Sequence, residues 1–382
     1  MWVQWVLPVL GAQAMVLLAN WWHWRHRRLL VEEGARLRLS VSLLVPVRNE
    51  RARLPQLVER LRRLQPAPPE VILCDDGSDD GSREWLQEHL PLHGEGDWIS
   101  WFPAPPKPEG WVGKNWACYQ LGARARGDWL LFVDADVWLH ERSVLSLAHA
   151  ISRHAQHPAV QLVTAIPTLQ PQSLLIGLLK AMVPFSVFTL LPLRFAEEHP
   201  HRAFAFANGQ VLAFPREHYL RAQPHERVRH AVLEDVQLAR VVKSDGGQVR
   251  ILDGRALFTA NMYPTFAEAV DGFSKNGVAI CGSVGGAVAV WLALFAVYLV
   301  PLLETVWTGW TGWHVAHYLL SSALFAVSEW MAGLPLWYGL LFPLSVVIGE
   351  GVLWRSIRWY WRGEVRWKGR AYRVSSASGR QR

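Results

Sequence analysis

Cysteine is scarce: Cys74, Cys118 and Cys281 are the only three in 382 residues. They form no CxxC pair and no Cys/His cluster, so neither a disulfide framework nor a zinc site is indicated. Cys74 lies in an apolar run and reads as a small core residue. No run of interleaved basic and aromatic residues falls on a globular surface, so the net charge of +7 does not point to nucleic acid. The positive charge gathers beside apolar segments, which points to anionic lipid headgroups. A cationic stretch ahead of the first apolar run is also missing, which argues against a cleaved secretory signal and for an uncleaved anchor.

Apolar and aromatic residues are abundant. Half of the chain is hydrophobic, and 22 tryptophans exceed what a soluble domain carries. The segment from Val3 to Asn20 is long enough for a bilayer core of roughly 30 Å and is followed by Trp21, Trp22, Trp24, Arg25, Arg27 and Arg28. Interfacial aromatics followed by cations describe a helix whose C-terminal end faces the cytoplasm. Val284 to Leu303 is uncharged and precedes Trp307, Trp310 and Trp313; His317 to Leu334 and Leu336 to Leu353 are further candidates. With the Arg- and Trp-dense tail from Trp354 also on the cytoplasmic side, the later crossings must be even in number. One of the three is therefore half-inserted or interfacial, and Glu329 singles out His317 to Leu334. Leu174 to Leu193 is interrupted by Lys180, Pro184 and Pro192, and reads as lying on the membrane or as a buried helix.

Between these segments, strand-like and helix-like runs alternate. Ser40 to Val47 is a buried strand, and Leu54, Leu57, Val58, Leu61 and Leu64 recur at helical spacing. Val71 to Cys74 and Trp98 to Phe102 are strands, Gly113 to Arg126 is helical, and Trp129 to Val133 is a strand. This βαβ rhythm predicts an α/β fold with a largely parallel sheet and helices on both faces. In such sheets ligands bind beyond the carboxyl ends of the strands. Three polar clusters fall there: Arg48-Asn49-Glu50, Asp75-Asp76, and Asp134 with Asp136.

Carboxylates at that position suit a nucleotide diphosphate donor only with a divalent cation between them. Asp134-Ala135-Asp136 offers hard oxygen ligands to Mg²⁺ or Mn²⁺, and the metal offsets charge growing on the leaving group. Asp75-Asp76 accepts hydrogen bonds from a base or ribose, with Gly77 and Gly81 permitting tight backbone turns. Glu234-Asp235 precedes a helical run, where acidic residues favour the macrodipole; alternatively, Asp235 is a general base for in-line attack.

These motifs resemble the family-2 inverting glycosyltransferases of the GT-A fold (nucleotide-diphospho-sugar transferase, Rossmann-like) over about Val41 to Asn276. The matching stretches are Val45-Pro46-Val47-Arg48-Asn49-Glu50, Cys74-Asp75-Asp76-Gly77-Ser78, Asp134-Ala135-Asp136 and Glu234-Asp235. Gly110-Trp111-Val112-Gly113-Lys114-Asn115-Trp116-Ala117 with Asn208-Gly209-Gln210 is similar to the carotenoid (diaponeurosporenoate) and hopanoid-associated branch. The tail from Arg366 to Arg373 is similar to that of ceramide glucosyltransferases. The resemblance implies that Pro46, Arg48, Glu50, Asp75, Asp76, Lys114 and Asp134 bind a UDP-sugar, and that Asp136 with Asp134 holds the metal. It also implies that Asp235, with Glu234, is catalytic, and that Asn208, Gly209 and Gln210 approach the sugar or acceptor. The Gln/Arg-x-x-Arg-Trp sequence of many relatives is missing, so Lys275 or Arg366, Trp367 and Arg370 are the candidates for the diphosphate; the tail is alternatively a lipid-headgroup anchor. Gln223-Pro224-His225 stands where the nearest branch has Gly-Gly-His.

The expected organisation is an N-terminal membrane anchor with its basic stop (1–38), a GT-A catalytic domain (39–276), C-terminal membrane helices (277–355) and a basic Trp-rich tail (356–382). The expected activity is metal-dependent transfer of a sugar, with glucose inferred from the relatives, to a lipid acceptor such as a carotenoid, another isoprenoid, or a ceramide-, sterol- or hopanoid-type lipid. The enzyme would be multi-pass in the cell membrane, with its catalytic domain facing the cytoplasm and no nucleic-acid partner. A processive polysaccharide synthase and a non-catalytic membrane scaffold are the competing readings.

Overall fold

The computed structural model describes residues 1–30, 39–154, 159–367 and 370–373. The chain divides into two compact units: one comprises Trp24–Thr168 and Leu193–Asn261, the other Met1–His23, Leu169–Pro192 and Met262–Arg382.

The first unit is α/β. Its strands are β1 (Val41–Val47), β2 (Glu70–Asp75), β3 (Ile99–Pro103), β4 (Trp129–Val133), β5 (Val137–Leu139), β6 (Val160–Ile166), β7 (Thr168–Leu169), β8 (Val211–Pro215), β9 (Gln248–Asp253) and β10 (Phe258–Ala260). Seven form one sheet in the order β3-β2-β1-β4-β8-β6-β9. Neighbours are parallel from β3 to β4, and β6 is parallel to β9, but β8 runs antiparallel to both β4 and β6. The sheet is thus mixed, with one reversed strand inserted among parallel ones. Strands β1 to β4 lie within a residue or two of the runs expected from the sequence, whereas the apolar run of the reversed β8 carries no sign of direction.

The core explains the apolar runs. All five residues of β4 and six of the seven in β1 are buried, as strands covered on both faces require. Helix Leu54–Arg62 buries Leu54, Leu57, Val58 and Leu61 in the same cluster as Leu43 and Val45 of β1. Each such side chain contributes roughly 1.5–3 kcal/mol by leaving water. Pro55 occupies the first turn, where its missing N–H leaves no bond unmade.

The second unit contains three helices long and apolar enough to cross a membrane: Val3–Trp24, Val284–Thr308 and Leu336–Trp361. Val284–Thr308 contains a π-turn at Phe295–Leu299 immediately before Pro301, where proline cannot donate to the regular ladder. Helix Gly312–Met331 is not among the three; it buries Ser321, Ser322, Ser328 and Glu329. Most of Leu174–Leu190 is buried, and its Lys180 ammonium donates to the Gln170 carbonyl (2.6 Å) and Gln172 Oε1 (3.0 Å). Strands β11 (Glu364–Trp367) and β12 (Arg370–Arg373) form a hairpin at the end of the described chain.

Candidate active site

The site is assembled at the carboxyl ends of three adjacent parallel strands. β1 leads into Arg48-Asn49-Glu50, β2 ends at Asp75, and β4 leads into Asp134-Ala135-Asp136. Their order β2-β1-β4 sets the three clusters side by side, which is the arrangement the βαβ reading requires.

The first two loops are interlocked. Asn49 Nδ2 donates to Asp79 Oδ1 (2.7 Å), while the Asp79 amide donates to Asn49 Oδ1 (3.0 Å). The Asn49 and Glu50 amides donate to Ser78 Oγ and Ser82 Oγ, each at 2.9 Å. Arg48 Nη1 donates to the carbonyls of Asp76 (2.7 Å) and Gly77 (2.9 Å). Asn49 adopts φ 53 and Gly77 φ 68; the left-handed conformation suits glycine and is tolerated by asparagine. Asp75 is buried and accepts from the Ser78 amide at 3.2 Å. Glu50 is also buried and ion-paired with Arg53 at 2.6 Å. Pro46 lies in β1 opposite Cys74. The Asp80 carboxyl is held below its ordinary range: burial opposes this, but hydrogen bonds from Ser82 and the Arg51 amide outweigh it.

At the third cluster, the Lys114 ammonium lies 2.7 Å from Asp134 Oδ1 and 2.7 Å from Glu234 Oε1. Burial pulls its pKa down, but Asp134 and Glu234 outweigh burial and hold it well above the ordinary lysine value. Lys114 comes from the first turn of helix Gly113–Arg124, and Asp134 follows β4, its amide donating to the Gln210 carbonyl at 3.1 Å. Glu234 and Asp235 open helix Glu234–Ser244, so the macrodipole favours both charges. Asp235 accepts from the Gly209 amide (Oδ2, 3.0 Å) and the Val236 amide (Oδ1, 2.8 Å). Burial first, then Glu234, raise its carboxyl to about 6, while Val236, Lys114 and Gly209 pull the other way. A β-carbon on Gly209 would lie 3.2 Å from Asp235 Cβ and Oδ2 and 3.3 Å from Glu234 Oε1, so a side chain here would require the two carboxylates to shift. Asn208 is tied to Thr164 by two 3.0 Å bonds and accepts from the Gln210 amide.

A second layer, missed from sequence, holds the Glu234 segment in place. Asn115 is fully buried and donates to the carbonyls of Val228 (2.9 Å) and Ala231 (3.0 Å). Tyr219 and His225 are bonded hydroxyl to Nδ1 at 2.8 Å, and the buried His225 is pushed down to about 3 by desolvation. It is therefore a neutral packing group at any working pH. Gly122 leaves room for the Tyr219 ring, since a β-carbon there would sit 2.3 Å from Cε1. Gly122 was the available signal, but a helical glycine does not name its neighbour.

Asp136 follows two residues after Asp134, half-buried, with its carbonyl accepting from the Asn261 amide at 2.8 Å. Among the described residues, no group of three His, Cys, Asp or Glu side chains is placed to hold a metal ion. Asp134 and Asp136 offer the hard carboxylate oxygens that Mg²⁺ or Mn²⁺ takes; both Asp134 oxygens face the Lys114 ammonium, at 2.7 and 2.9 Å, so a cation here would share Asp134 with Lys114 and take its further oxygens from a bound phosphate. Lys275 belongs to the other unit, in helix Phe266–Cys281. The side chains of Arg366, Trp367 and Arg370 lie outside the described residues.

A mixed α/β sheet with acidic loops beyond β1, β2 and β4 defines a GT-A fold, and the comparisons agree. A mannosyltransferase of Pyrobaculum calidifontis, solved with GDP-Man and Mn²⁺, aligns with a TM-score of 0.50 and 15% identity over 94% of this chain and 98% of its own. Residues 42–168 match the model of Glycosyl transferase family 2, so the chain carries a domain of that family. It is 26% identical over 242 residues to a 4,4'-diaponeurosporenoate glycosyltransferase of Staphylococcus haemolyticus (strain JCSC1435), spanning 62% of this chain and 60% of that relative. Against the protein of the same name in Staphylococcus aureus (strain USA300), identity is 24% over 355 residues, 88% of this chain and 89% of the relative.

Proposed function

We propose that this chain is an inverting glycosyltransferase of the cell membrane that moves a sugar from a UDP-sugar to a lipid acceptor, a carotenoid or other isoprenoid. The supporting observation is the convergence of Asp134, Glu234 and Lys114 within 2.7 Å contacts, with Asp235 beside Glu234 and anchored by the Gly209 amide. The relatives named for a carotenoid acid and the three long apolar helices support a membrane lipid as acceptor.

In this reading the interlocked loops after β1 and β2 receive the uridine, with Pro46, Arg48, Glu50, Asp75 and Asp76 around it. Asp134 and Asp136 would hold a divalent cation, Mg²⁺ or Mn²⁺, which would offset negative charge on the diphosphate. Lys114 adds a fixed positive charge beside that position and keeps Glu234 and Asp134 from repelling each other. Asp235, its carboxyl near 6, is mostly ionised at neutral pH and basic enough to take an acceptor hydroxyl proton during in-line displacement. Asn208, Gly209 and Gln210 flank the sugar or the acceptor. The catalytic domain faces the cytoplasm, where the nucleotide donor is made.

The deciding experiment incubates membranes containing the full chain with labelled UDP-glucose and, separately, other UDP-sugars, then extracts lipids for mass spectrometry. Labelled glycolipid that disappears with EDTA and returns with Mn²⁺ or Mg²⁺ is expected. Labelled polymer would identify a processive synthase. Absence of any transfer or donor hydrolysis with every UDP-sugar would leave a scaffold.

A further inference from the structure

Helix Phe342–Trp361 ends in a feature that the transfer reaction does not use. Trp354, Arg358, Trp361 and Arg362 recur at i, i+4, i+7 and i+8, one face of a helix. Together they line a cleft of about 400 Å³. The two indoles of its lining pack on each other: Trp354 and Trp361 meet edge to face at 5.6 Å, and Trp354 is braced by Trp291 of the neighbouring apolar helix at 5.9 Å. Both remain substantially exposed, at 42% and 55%.

The charge pattern separates this face from its surroundings. Arg355, on the next face of the same helix, is neutralised by Asp271 and lies over the Trp359 ring at 5.0 Å. Arg358 and Arg362 have no such acidic partner among the described residues. Arginines four apart lie close enough for one tetrahedral anion to accept from both forks. The helix belongs to Leu336–Trp361, one of the three segments long and apolar enough to cross a bilayer; in a crossing helix this end would lie at headgroup depth, where indoles settle. A cation in a last helical turn is also explained by the macrodipole alone; that accounts for one positive charge of either kind, but not for two arginines four apart on the face that carries two indoles.

We propose that this cleft is a binding site for the phosphodiester headgroup of an anionic phospholipid, with Arg358 and Arg362 clasping the phosphate and Trp354 and Trp361 seating the glycerol and upper acyl chain. The site fixes the depth of the helix end and makes the protein selective for anionic bilayers.

The test titrates the purified full-length protein in neutral detergent with phosphatidylglycerol or phosphatidylcholine, counting retained lipid by native mass spectrometry. Phosphatidylglycerol is expected to bind more tightly. R358Q/R362Q should lose about 25-fold in its affinity, from about fivefold for each charge. R358K/R362K, which keeps the charge but not the forks, should fall between. R25Q/R28Q removes the same charge near the end of the first helix and should change little. Equal retention of the two lipids by the unaltered protein overturns the proposal, as does an equal loss in both Gln pairs, which would mean diffuse attraction. Displacement of phosphatidylglycerol by an equal concentration of inorganic phosphate would show a free-anion site and overturn it too. The comparison of lipids on the unaltered protein does not depend on whether any variant folds.

Discussion

Replacing Lys114 with methionine is the most informative single perturbation, because it removes the charge while keeping an unbranched stem. Lys114 lies 2.7 Å from both Asp134 and Glu234. At that distance and an effective dielectric near 20, each attraction is roughly 6 kcal/mol before desolvation. Much of this is cancelled by the cost of taking three charges out of water, and removal of one partner from a buried pair typically costs ~3–5 kcal/mol. The Lys114 side chain is 34% exposed, so solvent screening reduces the expected loss to roughly 2–3 kcal/mol. For a unit of this size ~1 kcal/mol corresponds to ~2–4 °C, giving a fall of roughly 5–10 °C in the melting of metal-free protein. The assay is thermal unfolding in detergent at low ionic strength, with and without added salt; screening should narrow the gap between variant and parent. A variant that melts within ~1 °C of the parent at low salt would refute the reasoning, because two facing carboxylates cannot lose their shared cation without cost.

Two further outcomes follow from the same geometry. With an alcohol acceptor, the rate should fall on the acid side with a midpoint near 6, the Asp235 value. The stability effect has the opposite sign, since a carboxyl raised above its unfolded value favours the fold while protonated and loses that contribution as pH rises from about 4 through about 6. Parallel pH–rate and pH–melting profiles check both signs, and Asp235→Asn should abolish ether formation yet spare an acceptor carboxylate, which is already ionised above pH ~4. Gly209→Ala places a methyl 3.2 Å from Asp235 Oδ2. It should cost roughly 1–3 kcal/mol of stability but a larger share of activity, seen as a drop in kcat greater than the rise in KM.

How much was legible beforehand differs by element. Strands β1, β2 and β4 announce themselves because they are buried on both faces and end in charged loops, so pattern and chemistry change at the same residue. That the strands from β1 to β4 run parallel followed from the helices between them, while their order β3-β2-β1-β4 did not. The reversed β8 did not, because a five-residue apolar strand reads the same in either direction. At the site, the acidic clusters were visible as motifs, but the ion pairing of Lys114 with Glu234 joins residues 120 positions apart, and no local pattern encodes it. The roles of Asn115, Tyr219 and His225 were hidden for a related reason: Asn115 serves the Val228 and Ala231 carbonyls and Tyr219 pairs with His225 inside the core, and a buried polar residue looks like any other until its partner is known. In the second unit, length and hydrophobicity sufficed for the three long helices, and the polar residues of Gly312–Met331 set that helix apart.

The reciprocal Asn49–Asp79 bonds and the serine hydroxyls beneath Asn49 and Glu50 also bear on how such a rim evolves. Two loops that satisfy each other's donors cannot drift independently: a change in one strands a polar atom in the other, and repair demands a matched second change. A rim already set before anything binds also loses little freedom on occupancy, so truncating a contact there should show up as lost enthalpy rather than as altered ordering.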